Sequence, residues 1–253
     1  MSETKPPTPA PTPAATPTPS APSPTQVTPS PVIPPPELLH AVRGDLRAVR
    51  PLHSPVRRAL ALLPFGLALV AAIPAFWGWR ENLSDMGGAA AWGLSALQAL
   101  AGMLIVGLAL REAVPGRELT RRALALTALA ALALVAGITL VTSAIAPTSV
   151  RPGVWLRFAW ECFGVALVSA VPALAAVGWL ASRALPTRPA VAGAIYGLGA
   201  GIIADAGTRL FCWVSTPSHV LVAHGGAIVA LAGLGALAAT AVDALRNARA
   251  RRR

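Results

Sequence analysis

Long apolar runs separated by short polar connections make up most of the chain. Six such runs occupy residues 59–79, 86–110, 123–146, 158–182, 190–210 and 219–242. Each has at least the roughly 20 residues that an α-helix needs to cross the hydrocarbon core of a bilayer. The pattern therefore predicts an all-α, polytopic membrane protein with six transmembrane helices. The composition agrees, because only 12% of the residues are charged, against about a quarter in a typical soluble domain.

The residues before the first run show two other patterns. Residues 1–36 hold 14 of the 25 prolines, interspersed with Thr, Ser and Ala. A segment of this kind has few apolar groups to bury, so we expect a disordered, proline-rich tail.

Residues 37–50, between Pro36 and Pro51, instead have apolar residues at helical spacing. The apolar stripe consists of Leu38, Leu39, Val42, Leu46 and Val49. The charged residues, among them Asp45 and Arg50, lie largely away from it. A helix this short is marginal alone and needs a surface to lie on. Both the anionic surface of a membrane and a groove on a partner protein fit the pattern.

The net charge of +11 is distributed around the apolar runs. The segments before the first run and after the second, fourth and sixth contain 17 of the 21 Lys and Arg residues. Positive residues accumulate on the cytoplasmic side of membrane proteins, so both termini are expected in the cytoplasm. Because no single basic stripe is present, direct binding to nucleic acid is not expected.

These patterns predict four parts of the chain. They are a disordered tail (1–36), a cytoplasmic amphipathic partner-binding segment (37–57), a six-helix membrane domain (58–245) and a basic cytoplasmic tail (246–253).

Two cysteines are expected at the outer boundary of the membrane domain. With both termini inside, Cys162 lies about one turn below that boundary and Cys212 emerges at it. Three interpretations remain open: a disulfide, two buried thiols acting as small apolar residues, and a metal- or oxidant-responsive cluster that includes His224 and extends to His219 and Glu161. The spacing C-x6-H-x4-H is not a standard zinc signature.

Charged residues within the runs are the other candidates for function. Asp205 and Arg209 lie four apart on the fifth predicted helix and can share charge on one face; together with Glu161 they are candidate intramembrane charges. Gly193, Gly197 and Gly201 have the spacing of close helix packing in lipid. Since nucleotide-binding and hydrolase motifs are absent, neither an enzyme nor a bound cofactor is expected.

Several sequence elements together resemble a bacterial family. The stretches "ELLHAVRGDLRAVRPLHSPVRRALALL", "REAVPGR" and "CWVSTPSHVLVAHGGAI" are similar to those of the negative regulators of sigma factor F, which are six-helix inner-membrane antagonists of extracytoplasmic-function sigma factors. The resemblance covers residues 37–245. The matching positions are Leu38, Leu39, Asp45, Val49, Arg50, Pro51, Leu52, Pro115, Gly116, Cys162, Cys212 and His224.

The resemblance implies an anti-sigma regulator in the bacterial inner membrane. The helix at 37–50 would hold a sigma factor away from RNA polymerase, and Cys162 and Cys212 would sense metal or oxidant. The partner face would consist of Leu38, Leu39, Val42, Asp45, Leu46, Val49 and Arg50.

The chain departs from the family pattern near the second cysteine. It has Val214 where the family usually has an acidic residue, Ala223 where the family has Trp, and Phe211 where His is frequent. These departures concern the sensing site more than the fold.

A different class of function also fits the apolar runs. In a small transporter or channel-like protein, Asp205, Arg209 and Glu161 would line a path through the membrane domain. Neither interpretation specifies an oligomeric state, and membrane lipid is an expected partner in both.

Overall fold

The computed structural model describes residues 35–45, 53–150, 152–181 and 186–252. Its contacts divide the chain into two units, Met1–Pro51 and Leu52–Arg253. The described part of the first unit is helix α1 (Pro36–Asp45), which carries the start of the predicted amphipathic segment. Leu39 and His40 are exposed on it.

Several predictions fall outside the described residues. These are the disordered tail up to residue 34 and the partner-face residues Leu46, Val49 and Arg50. For Leu38, Val42 and Asp45 the description covers the helical backbone and not the side chain.

The second unit is helical, with no β-strand among the residues described for it. In chain order its elements are α2 (Pro55–Trp77), α3 (Leu83–Met86), α4 (Gly88–Glu112), α5 (Arg121–Ile145), α6 (Pro152–Ala181), α7 (Pro189–Phe211), α8 (Pro217–His219), a π-helical turn (Val220–Gly225) and α9 (Gly226–Ala250).

Six helical segments are long and apolar enough to cross a membrane. They correspond to the six apolar runs, so the prediction of an all-α protein with six membrane-length helices is confirmed. The last helix continues to Ala250, past the end of its apolar run, and a hydrogen bond from Asn247 to Asp243 supports that extension. Part of the predicted basic tail is therefore helical.

Helix α7 is the centre of the bundle and contacts α2, α4, α6 and α9. Its glycines permit these contacts. A Cβ atom added at Gly193 or Gly197 would collide with the backbone of α9, and one at Gly207 would press on α2. The predicted packing role of the spaced glycines is confirmed for Gly193 and Gly197.

Replacing Gly197 with Ala tests this packing. Because the new methyl group would collide with the backbone at Leu231, we expect a loss of about 1–3 kcal/mol of stability, measured as a lower thermal midpoint of the detergent-solubilised protein. The control is Gly233→Ala on α9, where a Cβ meets open space. There, alanine should leave stability unchanged or raise it. Equal midpoints for the two variants would contradict the prediction.

Candidate thiol and metal site

Two thiols and two imidazoles meet inside the bundle. Cys162 comes from α6, Cys212 from the residue after α7, His219 from the end of α8 and His224 from the π-helical turn. All four are buried, and one donor atom from each lies within 4.8 Å of the others. The two Sγ atoms are 3.0 Å apart, and both cysteines are free. His219 Nε2 lies 3.3 Å from Cys212 Sγ.

The π-helical turn explains how two histidines five residues apart reach one cluster. In a regular α-helix, five residues correspond to about 140° around the axis beyond one full turn, so His219 and His224 would point in different directions. A π-helix bonds residue i to residue i+5 and so places residues five apart nearly above one another. The two imidazole rings accordingly lie with centroids 5.5 Å apart.

Cys212 occupies the short connection that follows α7. Hydrogen bonding with the Cys162 thiol, and next with His219, lowers the pKa of the Cys212 thiol below its usual range, whereas burial acts in the opposite direction. The thiolate is the form that binds metals and attacks oxidants. The surroundings of Cys212 therefore favour the reactive form.

Each histidine leaves one ring nitrogen without a hydrogen bond. His224 Nδ1 lies 2.5 Å from Asp205 Oδ1, while its Nε2 has no hydrogen-bond partner among the described residues. His219 Nδ1 is likewise unpartnered within that set. Buried polar atoms in proteins are usually hydrogen-bonded. The unpartnered Nε2 of His224, a member of the four-donor cluster, indicates that the site can accept a further group.

The Asp205 carboxylate joins this cluster to the rest of the bundle. It is fully buried, and its Oδ2 accepts hydrogen bonds from Gln98 Nε2 at 2.5 Å and from Arg209 Nε at 3.0 Å. Arg209 in turn donates to Thr139 Oγ1 on α5. The predicted pairing of Asp205 with Arg209 is thus present, and the same carboxylate also contacts His224.

The buried side chain of Arg80 holds the connection between α7 and α8, in which Cys212 lies. Arg80, which follows α2, donates to the backbone oxygen of Arg209 and to Ser215 Oγ. Ser215 is also held from α5 and the residues after it, since its carbonyl accepts from Ser143 and its amide donates to Thr148. The connection between α7 and α8 is therefore held by Arg80 and by residues of α5 and the segment that follows α5.

The remaining predicted residues lie around the cluster. Glu161 is on the outside of α6, where its side chain is 48% exposed and paired with Arg157 at 3.0 Å, and it does not belong to the four-donor group. Val214 and Ala223 are buried and form the apolar wall beside the thiols, with Phe211 packed against it. The carboxylate in contact with the cluster is instead that of Asp205 on α7.

Sequence reasoning missed two parts of this site. Gln98, a single amide within the apolar run of α4, and Arg80, directly after the first apolar run, are both buried and hydrogen-bonded to residues of α7. An isolated polar side chain in a membrane-length apolar run is the signal that could have identified Gln98.

Six helices long and apolar enough to cross a membrane, with a buried thiol–imidazole cluster among them, define a helical protein with a candidate functional site. The family described as negative regulator of sigma F matches residues 43–242. This match covers most of the chain, and the protein belongs to that family. The family role is regulatory and implies a sigma factor as partner. No curated protein and no solved structure matches the chain.

Changing Arg80 to Ala should expose the Cys212 thiol. The substitution removes charged hydrogen bonds that hold the connection after α7, each of which contributes about 1.5–3 kcal/mol. We therefore expect maleimide labelling of Cys212, followed by mass spectrometry, to become roughly tenfold faster or more. The control is Arg157→Ala, which removes an exposed arginine. Equal labelling rates in the two variants would contradict the role of Arg80.

Proposed function

We propose that the protein is a membrane-bound anti-sigma regulator that sequesters an extracytoplasmic-function sigma factor at the inner membrane. Both termini face the cytoplasm, and the four-residue cluster lies toward the outer face, where it receives a thiol or metal signal that releases the sigma factor. The observation that carries this proposal is the meeting of two thiols and two imidazoles in the bundle, in a member of a family of negative regulators of a sigma factor.

The donor set of the cluster suits a soft or borderline divalent cation such as Zn²⁺ or Cd²⁺. Thiolate and imidazole ligands select such ions, whereas Mg²⁺ and Ca²⁺ prefer oxygen. Tetrahedral zinc with Zn–S near 2.3 Å and Zn–N near 2.0 Å requires its donor atoms to lie about 3.3–3.8 Å from one another. The four donors already lie within 4.8 Å of one another, and the two sulfurs are 3.0 Å apart. Capture therefore needs the sulfurs to separate slightly and the more distant donors to move inward.

Oxidation is the second candidate signal at the same site. The Sγ–Sγ distance of 3.0 Å favours it, because a disulfide forms once the two sulfurs approach to about 2.05 Å. Formation of the bond removes two electrons and two protons. Hydrogen peroxide would accept them and become two water molecules, and an organic hydroperoxide would become an alcohol and one water molecule. The disulfide would then remove both sulfurs from any cation site, so the two signals exclude each other.

The sigma factor would bind the amphipathic segment at residues 37–57. An apolar stripe on a short helix is a common way for a protein to fill a partner's hydrophobic groove, and the helical start of this segment is present as α1. Release then requires that the signal bind more tightly to a state of the bundle in which the segment is not available. A ligand with equal affinity for both states would release nothing.

A transport function has less support from the contacts of the same charged residues. Asp205 and Arg209 neutralise each other in the interior, and Glu161 pairs with Arg157 on the outer side of α6. The three groups do not converge on one path.

Substituting Asp for Leu46 in the full-length protein should abolish capture of the sigma factor. The new charge would fall within the apolar stripe and would have to be buried unpaired in the partner groove. We expect the host sigma factor to co-purify with the wild-type protein from solubilised membranes and not with this variant. The control is His40→Asp, because a spacing of roughly 100° per residue places position 40 on the opposite side of the helix. If His40→Asp abolishes capture equally, the stripe is not the binding face.

Changing either cysteine to Ser should separate capture from release. We expect Cys162→Ser and Cys212→Ser to retain the sigma factor but to lose release by Cd²⁺ and by peroxide, because each change removes a soft ligand and one half of the disulfide. The readout is transcription from a promoter that depends on the sigma factor. Loss of release by Cd²⁺ alone would identify the cation as the signal, and loss of release by peroxide alone would identify the oxidant. Normal release by both in the two variants would exclude the cluster as the sensor.

A further inference from the structure

The cation-capture part of the proposed function gives a role to the carboxylate of Asp205, which lies outside the four-residue cluster. Asp205 contributes no donor atom to the four-residue group, yet its Oδ1 lies 2.5 Å from His224 Nδ1. We infer that Asp205 is a positioning residue for cation capture: it holds His224 in the orientation and tautomer that present Nε2 to the two thiols.

The hydrogen-bond arrangement of His224 carries this inference. A neutral imidazole has one N–H donor and one nitrogen with a lone pair. With Nδ1–H donated to the carboxylate, the lone pair lies on Nε2, the nitrogen that has no hydrogen-bond partner in the described structure. Histidine ligands of metals usually donate their other N–H to a carboxylate or carbonyl in this way. His224 therefore already has the hydrogen bond and the free Nε2 lone pair of a metal-binding histidine.

The carboxylate itself is unable to turn away from His224. Its second oxygen accepts hydrogen bonds from Gln98 on α4 and from Arg209 on α7, and Arg209 is held in turn by Thr139 on α5. A rotation of the carboxyl group would break these bonds in a fully buried site, where unpaired groups are most unfavourable. Three helices thereby fix the direction in which Nε2 points.

The second histidine has no such partner. His219 Nδ1 is without a hydrogen bond among the described residues, while its Nε2 contacts Cys212. The two imidazoles are therefore not equivalent: a carboxylate holds His224 as a ligand, and no carboxylate contacts His219 among the described residues. This difference predicts that the loss of Asp205 acts on the cation site through His224 alone.

The test is a titration of the purified full-length protein in detergent with Co²⁺, followed by its thiolate-to-cobalt absorption, with Cd²⁺ as competitor. Asp205→Asn should weaken binding by about 10–100-fold, the usual effect of removing such a partner. Glu161→Gln is the control, because Glu161 is exposed and outside the group; it should leave the affinity unchanged.

A double-mutant cycle separates positioning from general destabilisation. If Asp205 acts through His224, Asp205→Asn should cause no further loss of affinity in a His224→Ala background. Additive losses would overturn the inference, as would wild-type affinity in Asp205→Asn alone. If Asp205→Asn does not yield folded protein by circular dichroism, Gln98→Leu takes its place in the same cycle. That variant frees the carboxylate but keeps its pairing with Arg209, and it should give a smaller loss that again disappears without His224.

The same titration distinguishes this inference from the function on which it rests. An absence of thiolate-to-cobalt absorption in the wild-type protein would overturn the proposed cation site itself. A normal wild-type signal with an unaffected Asp205→Asn variant would overturn only the positioning role.

Discussion

The buried carboxylate of Asp205 is the constraint on which the rest of the bundle depends. An ionised carboxylate is strongly disfavoured in an apolar interior unless charged and hydrogen-bonding groups surround it. Here Arg209 supplies the opposite charge, Gln98 an amide and His224 a ring nitrogen. These groups come from α4, α7 and the π-helical turn, so satisfying one carboxylate fixes how these segments sit against one another.

Close packing around α7 makes that arrangement possible. The glycines that face α9, α4 and α2 allow neighbouring backbones to approach α7 directly, and short approach distances let short side chains reach across. Gln98 and Asp205 meet at 2.5 Å beside the close approach of α4 and α7 at Gly102 and Gly199, where an added Cβ would collide with the facing helix. In lipid, packing of this kind replaces the hydrophobic driving force that joins helices in water. The glycines that allow close packing and the carboxylate that needs buried partners therefore lie on the same helix, α7.

The sequence predicted the helices and much of the site's composition, for physical reasons that also explain what it missed. Membrane-length apolar runs determine the number of long helices, and the positions of Cys162 and Cys212 near the ends of two such runs predicted that the cysteines lie at one level. The role of His219 could not be read from spacing, because five residues separate it from His224 and only a π-helical turn aligns them. Gln98 and Arg80 depend on which helices are neighbours, and that is a property of tertiary packing that periodicity does not encode.

Charge balance explains why two thiols suit a site in such an interior. Exchanging two protons of the thiol–imidazole cluster for one divalent cation leaves the formal charge of the cluster unchanged, so capture avoids much of the cost of placing net charge in a medium of low dielectric constant. The two imidazoles bind as neutral ligands, and the Asp205 charge is already matched by Arg209. A trivalent ion would leave one excess positive charge, and a monovalent ion would bind with only one thiol deprotonated. The surroundings therefore favour divalent, soft cations through electrostatics as well as through ligand type.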